Sequence, residues 1–272
     1  MKTLTIIIPL FNEAERVQKT LEKLVVYKPP ANIAVEKIIF INDGSSDNTL
    51  SVLHHWRYKF NKIKNKNFHP AIEIFSYKRN RGRGFAVRRG FKNVDTDYAV
   101  YIDGDLSIPL CNLIKFSKYM EKDYDLLIGS KKMPGAVCLN GRGIIRTIVG
   151  YGHSFLAALI LGIWCWDFQG GFKMFSRRFI KEVIPFSRFN HWGFDMEVIF
   201  LGKNMGYLTL ELPVVWQGVI KGSKVKLLRD IERALRDMVR IRINWMTRKI
   251  ASQIPAFRLS FYIPVEKQGN NI

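Results

Sequence analysis

Cysteine is nearly absent: the 272 residues include Cys111, Cys138 and Cys165 and no others. They are far apart, odd in number and contain no CxxC pair. This excludes a disulfide framework and a thiolate zinc site and fits a reducing compartment. Such cysteines read as buried apolar residues. Long hydrophobic runs are also missing. No stretch reaches the ~20 apolar residues that span a bilayer; the nearest, Phe155 to Trp166, suits a core or interfacial helix. The apolar run after Met1-Lys2-Thr3 is too short for a signal core, so the expectation is a cytoplasmic chain without leader or anchor. After the first predicted strand stands Pro9-Leu10-Phe11-Asn12-Glu13 rather than G-x-G-x-x-G, which disfavours a nicotinamide dehydrogenase. Acidic residues are scarce, 23 against 43 Lys and Arg, a net charge of +20. That balance implies an anionic partner: nucleic acid, an anionic membrane or a phosphorylated substrate.

What remains is a globular composition, 47% apolar and 24% charged, long enough for one large α/β domain or a domain with an appendage. Strands are predicted at Leu4–Ile8, Lys37–Ile41, Ala71–Ser76, Tyr98–Ile102, Leu126–Gly129 and Leu208–Val215. Helical patterns cover Glu13–Val26, Asp47 to about Phe60, Phe85–Lys92, a short stretch after Ser176, and Phe194–Met205. Lys131 to Arg146 reads as a Gly-rich basic loop. Repeated β-α-β units with apolar strands imply a Rossmann-like α/β fold, a mostly parallel central sheet with helices on both faces. From 225 to 250 a further helix carries Leu228, Ile231, Leu235, Met238, Ile241 and Trp245 on one face, and its other faces are rich in Arg. The expected organisation is a catalytic domain over 1–224, a basic amphipathic helix over 225–250 and a C-terminal tail over 251–272, loose beyond Pro264.

Four loops at predicted strand ends carry polar chemistry: Pro9-Leu10-Phe11-Asn12-Glu13, Asn42-Asp43-Gly44-Ser45, Arg79-Asn80-Arg81-Gly82-Arg83-Gly84 and Asp103-Gly104-Asp105. Singly each is weak; in order on successive strands they are specific, because ligands of such sheets sit beyond the carboxyl ends of the strands. Asp43 has the chemistry to accept hydrogen bonds from a base or ribose. Asp103 and Asp105 flank a glycine, so the chain turns tightly and presents hard oxygen ligands that suit Mg²⁺ or Mn²⁺ bridging to phosphates. Gly82 and Gly84 let backbone approach a nucleotide, with Arg81 adding charge. Carboxylates at strand ends repel nucleic-acid phosphates unless a metal intervenes, so a nucleic-acid module is the poorer reading of the charge.

Pro9-x-x-Asn12-Glu13, Asn42-Asp43-Gly44-Ser45, Asn80-Arg81-Gly82-Arg83-Gly84-x-Ala86 and Asp103-x-Asp105 resemble the inverting GT-A glycosyltransferases of the large second family. Gly129-Ser130, Asp167-Phe168-Gln169-Gly170-Gly171-Phe172-Lys173, Trp192-Gly193-Phe194-Asp195-Met196-Glu197 and Gly222-Ser223-Lys224 resemble the branch that glycosylates polyprenyl phosphates, the dolichyl-phosphate β-glucosyltransferases. The likeness runs from about Thr3 to about Lys226. It implies a GT-A fold, UDP-glucose as donor, a divalent metal on Asp103 and Asp105, and a polyprenyl or dolichyl phosphate as acceptor. It implies a nucleotide-binding half over about 1–130 and an acceptor half over about 131–224, and places Asp195 and Glu197 near sugar and acceptor. Two readings compete: transfer to a soluble glycan or polysaccharide, and transfer of mannose from GDP-mannose to a lipid phosphate. The eukaryotic members begin with an anchor helix and many bacterial relatives end in membrane helices; neither is expected here, so membrane attachment is expected to be peripheral.

An inverting transfer normally needs a base, but a phosphate acceptor has a second pKa of about 6 and is already ionised at neutral pH. Cations that bring it in then matter most. Lys131, Lys132, Arg142 and Arg146 follow the fifth strand, and Lys221, Lys224 and Lys226 precede the last helix. Asp167 and Asp195 are the remaining catalytic candidates. The last helix, with Arg229, Arg233, Arg236, Arg240, Arg242, Arg248 and Lys249, suits an anionic bilayer surface. His54-His55, His153 and His191 carry no metal-binding pattern and read as structural.

Overall fold

Lys2–Leu10 is a run of β-branched and aliphatic residues long enough to sit at the centre of a sheet, and it does so as strand β1. The computed structural model describes residues 1–62, 68–141, 143–218 and 227–247. Within them the strands are β1, β2 (Ile33–Asn42), β3 (Ala71–Ser76), β4 (Tyr98–Ile102), β5 (Leu126–Ser130), β6 (Val137–Cys138), β7 (Phe172–Ser176), β8 (Thr209–Pro213) and β9 (Val215–Trp216). The helices are α1 (Ala14–Val25), α2 (Thr49–Lys62), α3 (Arg83–Phe91), α4 (Leu113–Met120), α5 (Ile144–Leu161), α6 (Arg177–Glu182), α7 (Gly193–Asn204) and α8 (Leu227–Thr247). Seven strands form one sheet in the order β3-β2-β1-β4-β7-β5-β8, and β6 pairs β9 beside it. The pairings in the large sheet are parallel except those of β7, which runs antiparallel to both β4 and β5.

Alternation along the strands divides the core in two, because successive side chains of a strand leave opposite faces. Leu4, Ile6 and Ile8 of β1 join Ile38 and Phe40 of β2 under α1, α2 and α4. Ile7 joins Ile39, Ile41 and Tyr101 on the other face, under α3, α6, α7 and α8. Helices therefore cover both faces, as the sequence implies. In α8, Ala234, Met238 and Ile241 are buried and Trp245 meets Phe200 edge-on at 5.6 Å.

Several local expectations are corrected. The supposed loop up to Arg146 is helical from Ile144, and the apolar helix ends at Leu161 rather than at Trp166. The glycines just before it, Gly141 and Gly143, and the basic residues make its first turn read as part of the loop; burial of Ser154, Ala157 and Leu161 holds the helix farther along. Gly162, at φ +69°, ends α5, and Arg242 of α8 donates to the Leu161 carbonyl at 2.9 Å. Strand β7 and helix α4 were not expected at all. Of the cysteines only Cys165 is buried; Cys111 is exposed and Cys138 intermediate. Among the described residues no helix is long and apolar enough to cross a membrane.

Candidate active site

The sheet's strand order turns at β1, with β2 on one side and β4 on the other, which opens a crevice beyond the carboxyl ends of these strands. The loops after β1 and β2 are sewn together there. Asn12, at φ +52°, a region Asn tolerates, accepts the Ser46 amide on Oδ1 at 2.8 Å, and its own amide donates to Ser45 Oγ at 3.0 Å. The Glu13 amide donates to Thr49 Oγ1 at 3.0 Å, and its carboxylate meets Arg16 at 3.3 Å. Pro9 is the penultimate residue of β1, opposite Ile41. Asp47 accepts from Thr49 N at 3.0 Å and from Ala14 N at 3.1 Å, holding the starts of α2 and α1 together.

Asp43 is buried, and its carboxylate accepts from Arg81 N at 2.7 Å, Gly82 N at 2.9 Å and Asn80 Nδ2 at 3.0 Å. It therefore holds the glycine loop, and its two oxygens keep accepting capacity for a base or ribose. Gly44 packs on the Arg79 backbone. Gly82, at φ +96°, sits where a Cβ would lie 2.4 Å from the Asn190 carbonyl and from His191 Nδ1, and Gly84 packs as closely on Phe194. The loop is thus clamped between Asp43 and the segment leading into α7. Arg81 turns away and lies over Phe85, 3.9 Å from the ring centroid.

Arg83, two residues on, is the hub that sequence reasoning missed. One arm donates to Asp103 Oδ1 at 3.2 Å and the other to Asp195 Oδ2. Its guanidinium lies 4.3 Å over Trp192, and its Nε is buried without a hydrogen-bond partner. Since Gly82 holds Asp43 and Arg83 holds Asp103, the two acids border one crevice. Asp103 and Asp105 occupy a tight turn closed by Leu106 N to the Asp103 carbonyl at 3.0 Å, with buried Leu106 at φ +49°. Gly104 lies against Leu10, and its carbonyl accepts from Thr20 at 2.6 Å. Asp105 Oδ1 accepts from Ser107 N at 2.9 Å. Gly171 lies so close to Asp103 that a Cβ there would be 1.8 Å from Oδ2. Among the described residues no group of three or more His, Cys, Asp or Glu gathers around one point. Asp103 and Asp105 offer two partly exposed carboxylates, a donor set that would fit Mg²⁺ or Mn²⁺ if substrate phosphates completed the shell.

Asp195, which the resemblance places near sugar and acceptor, is 0% exposed, with Arg83 on one oxygen and Lys173 Nζ on the other at 2.8 Å. Burial pushes its carboxyl up from the usual range, against the pull of Arg83. Lys173, equally buried, is pushed down by burial and by Arg83. It also donates to the Gly170 carbonyl at 2.6 Å and Tyr101 OH at 3.4 Å. A lone Lys inside the apolar strand Phe172-Lys173-Met174-Phe175 was the available signal for such a buried pair. Glu197 accepts Arg188 N at 2.7 Å and Phe189 N at 3.0 Å, and burial raises its carboxyl to about 7.

On the far side of Gly170 lies a second charged cluster. Buried Asp167 accepts the Lys131 amide at 3.2 Å and pairs Lys132 Nζ at 3.5 Å. Burial alone would raise Asp167, but Lys132 and Lys131 outweigh it and hold the carboxyl below its ordinary value. Lys132 is buried and donates to Ser154 Oγ on α5 at 2.8 Å, so it is no solvated loop residue. Lys131 Nζ lies 5.8 Å from the Trp216 ring centre. Burial, then Lys132, push His153 down to about 4; its Nε2 is buried without a partner. Glu211, also missed, accepts the amides of Trp166 at 2.8 Å and Asp167 at 2.7 Å and so fixes this loop. Arg146 is in the first turn of α5, its side chain outside the described residues. Arg142 and Lys224, with Lys221, Lys226, Arg248, Lys249 and the tail over 251–272, lie outside them altogether.

The model of glycosyl transferase family 2 matches residues 5–184. The chain is 29% identical over 256 residues to the dolichyl-phosphate beta-glucosyltransferase of Saccharomyces cerevisiae, covering 89% of this chain and 75% of that protein. It is 28% identical over 255 residues to the enzyme of the same name from Dictyostelium discoideum, with the same coverage. Among solved structures, glucosyl-3-phosphoglycerate synthase of Mycobacterium tuberculosis, in complex with Mn²⁺, UDP and phosphoglyceric acid, superposes with a TM-score of 0.60 at 16% identity. That match covers 89% of this chain and 78% of the other, and it shows the GT-A fold.

Proposed function

Because the chain belongs to glycosyl transferase family 2, we propose that it transfers glucose from UDP-glucose, with inversion, to a polyprenyl phosphate such as dolichyl phosphate. That it is a glycosyltransferase follows from the family and from its relatives; the donor, the stereochemistry and the acceptor are our reading. The observation that carries it is one short loop with an anion station at each end. Gly171 touches Asp103, and Asp167, a few residues earlier, sits with Lys131 and Lys132. On this reading residues 1–130 hold the donor and 131–224 the acceptor.

Asp103 and Asp105 would hold Mg²⁺ or Mn²⁺, which would supply charge neutralisation for the departing diphosphate. The rest falls to the chain's own residues. The Asn12–Glu13 and Asp43–Gly44 loops, with Gly82 and Gly84 held by Asp43, form the nucleotide cradle. Lys131 and Lys132 draw in the acceptor phosphate, whose oxygen is already ionised and needs no base. Asp167 and Asp195 are both committed to buried cations, so their part is to orient those cations rather than to take a proton. Holding two anions at attack distance by fixed positive charge is then the main catalytic work.

A lipid acceptor also makes sense of the surface beside Lys132. From Thr147 to Leu161 helix α5 carries no charged residue, and Ile148, Tyr151, Phe155 and Leu159 stand exposed along it. Tyr151 OH donates to the Lys132 carbonyl at 2.9 Å, which joins this stripe to the acceptor cluster. In α8, packed beside α5, Val239, Ile243 and Met246 are exposed among Arg233, Arg236 and Arg240. On this reading the two helices rest on an anionic membrane surface, apolar residues in and arginines at the headgroups.

The test is a donor screen with radiolabelled UDP- and GDP-sugars, a polyprenyl phosphate, and Mg²⁺ or Mn²⁺, with product extracted into organic solvent. UDP-glucose should label the lipid, and Asp105→Ala should abolish labelling. Labelling from GDP-mannose alone, or of soluble glycans alone, would overturn the reading.

A further inference from the structure

Between the donor and acceptor clusters runs a chain of charge, partly exposed at its Asp103 end and buried at Asp195 and Lys173, in which Lys173 has been given no part so far. It starts at Asp103, passes through Arg83 to Asp195 and ends at Lys173. Lys173 lies on β7, the strand inserted antiparallel between the donor-side strand β4 and the acceptor-side strand β5. Three oxygens surround its Nζ: Asp195 Oδ1 at 2.8 Å, the Gly170 carbonyl at 2.6 Å and Tyr101 OH at 3.4 Å. It is wholly buried and touches no crevice.

The Gly170 bond gives this lysine more than a structural part. Gly170 belongs to the loop 167–171. At one end of it the Gly171 carbonyl accepts the Asp103 amide at 3.2 Å, and its Cα lies against the Asp103 carboxylate. At the other end Asp167 holds Lys131 and Lys132. Gly170 packs between, where a Cβ would be 2.3 Å from the Gly129 carbonyl and 3.4 Å from Asp167 Oδ2. One ammonium thus grips the middle of the loop and, through Asp195 and Arg83, the carboxylate at its donor end. We infer that Lys173 is a positioning residue that sets the separation between the diphosphate-binding carboxylate Asp103 and the acceptor-phosphate cluster Asp167–Lys132. This rests on the proposed reading of those two clusters. Asp195 serves it as the anionic link between Lys173 and Arg83.

A residue that fixes the distance between two bound anions acts on their reaction with each other, and less on the hydrolysis of the donor by water. The experiment uses Lys173→Gln in the full chain, which keeps one donor group and removes the charge. The first readout is the ratio of transfer to acceptor-independent hydrolysis of the same UDP-sugar, a ratio that partial misfolding does not alter. An ångström of misplacement costs up to about a hundredfold, so the ratio should fall by about ten- to a hundredfold. The second readout is amide hydrogen exchange with UDP and Mn²⁺ alone. In the wild type the ligands should slow exchange at 104–107 and at 168–171 together; in the variant protection should persist at 104–107 and be lost at 168–171. An unchanged ratio, protection at 168–171 kept in the variant, or no protection there in the wild type overturns the inference. Wild-type hydrolysis of the donor without labelling of the lipid sinks the functional reading instead, and the exchange result then decides on Lys173 alone. If the single variant does not fold, Lys173→Gln with Asp195→Asn, which removes both buried charges together, is read in the same way.

Discussion

Replacing Gly171 by alanine should weaken metal binding while leaving the fold intact. A Cβ at this position would lie 1.8 Å from Asp103 Oδ2 and 2.3 Å from Cγ. Something must retreat by about 1.2 Å to reach even the 3.0 Å floor of real Cβ contacts. Strand β7 begins at the next residue and is paired on both edges, to β4 and to β5, so the backbone resists. The carboxylate is 31% exposed and ends a rotatable side chain, so it is the part that yields. Moving it out strains the 3.2 Å bond to Arg83 and displaces one of the two proposed metal ligands. Disturbing such an arrangement costs about 10- to 100-fold in metal affinity or activity, or about 1.4–2.8 kcal/mol. The assay is a Mn²⁺ titration of UDP-sugar turnover, backed by calorimetry of UDP binding with and without Mn²⁺. Half-saturating Mn²⁺ should rise at least about tenfold, and the melting temperature should move by less than about 3 °C. A folded variant with an unchanged metal requirement would refute the argument, because the Gly171 backbone would then not be fixing a metal-bearing carboxylate. A large drop in melting temperature would refute it differently, by showing that β7 and not the carboxylate gave way.

Three further outcomes follow from the same geometry. Lys131→Glu should raise the acceptor KM with little change in the donor KM, read from initial rates at varied polyprenyl phosphate; unchanged acceptor kinetics would remove Lys131 from the phosphate site. Glu197 is raised by burial from 4.5 to about 7, so between those values the folded state binds more protons than the unfolded one and this group's contribution to stability falls as pH rises. Glu197→Gln, which still accepts the Arg188 and Phe189 amides, should therefore match the wild type near pH 4.5 and exceed it near pH 8 by up to about 3 kcal/mol, a trend that chemical denaturation across that range would confirm or deny. Leu159→Glu, on the exposed stripe of α5, should reduce co-sedimentation with anionic vesicles without altering hydrolysis of the soluble donor; undiminished vesicle binding would free α5 from a membrane role.

The central parallel strands could be read in the sequence because they bury both faces and so appear as apolar runs closed by a polar loop, as at Tyr98–Ile102; the edge strand Ala71–Ser76 is only partly buried yet falls where its pattern puts it. Strand β7 could not, since Phe172–Ser176 follows two glycines and carries a lysine at its second position, features that argue against a central strand until a partner for the charge is known. The same limit applies to the site. That Asp43, Asp103 and the glycine loop belong together follows from their order at successive strand ends. Which arginine of Arg81-Gly82-Arg83 turns inward does not, because the choice depends on Phe85 taking one and on Asp103 and Asp195 taking the other. Glu211, on a strand at the sheet's edge, gives no local sign that its oxygens will hold two amides from the loop before Phe168.

The net charge of +20 invites a surface explanation, yet the cations with most consequence are largely withdrawn from solvent. Arg83, Lys132 and Lys173 each face a carboxylate across a short distance and are largely buried, where electrostatic interactions are far stronger than at a wet surface. A charge held this way cannot follow its substrate, so it must be set beforehand where the developing or attacking charge will be. On the proposed reading, that is why these acids hold cations in place rather than move protons. A reaction between two phosphate-bearing partners needs fixed positive charge more than it needs a base, and carboxylates buried against Arg83, Lys132 and Lys173 are the means this sequence has of fixing it.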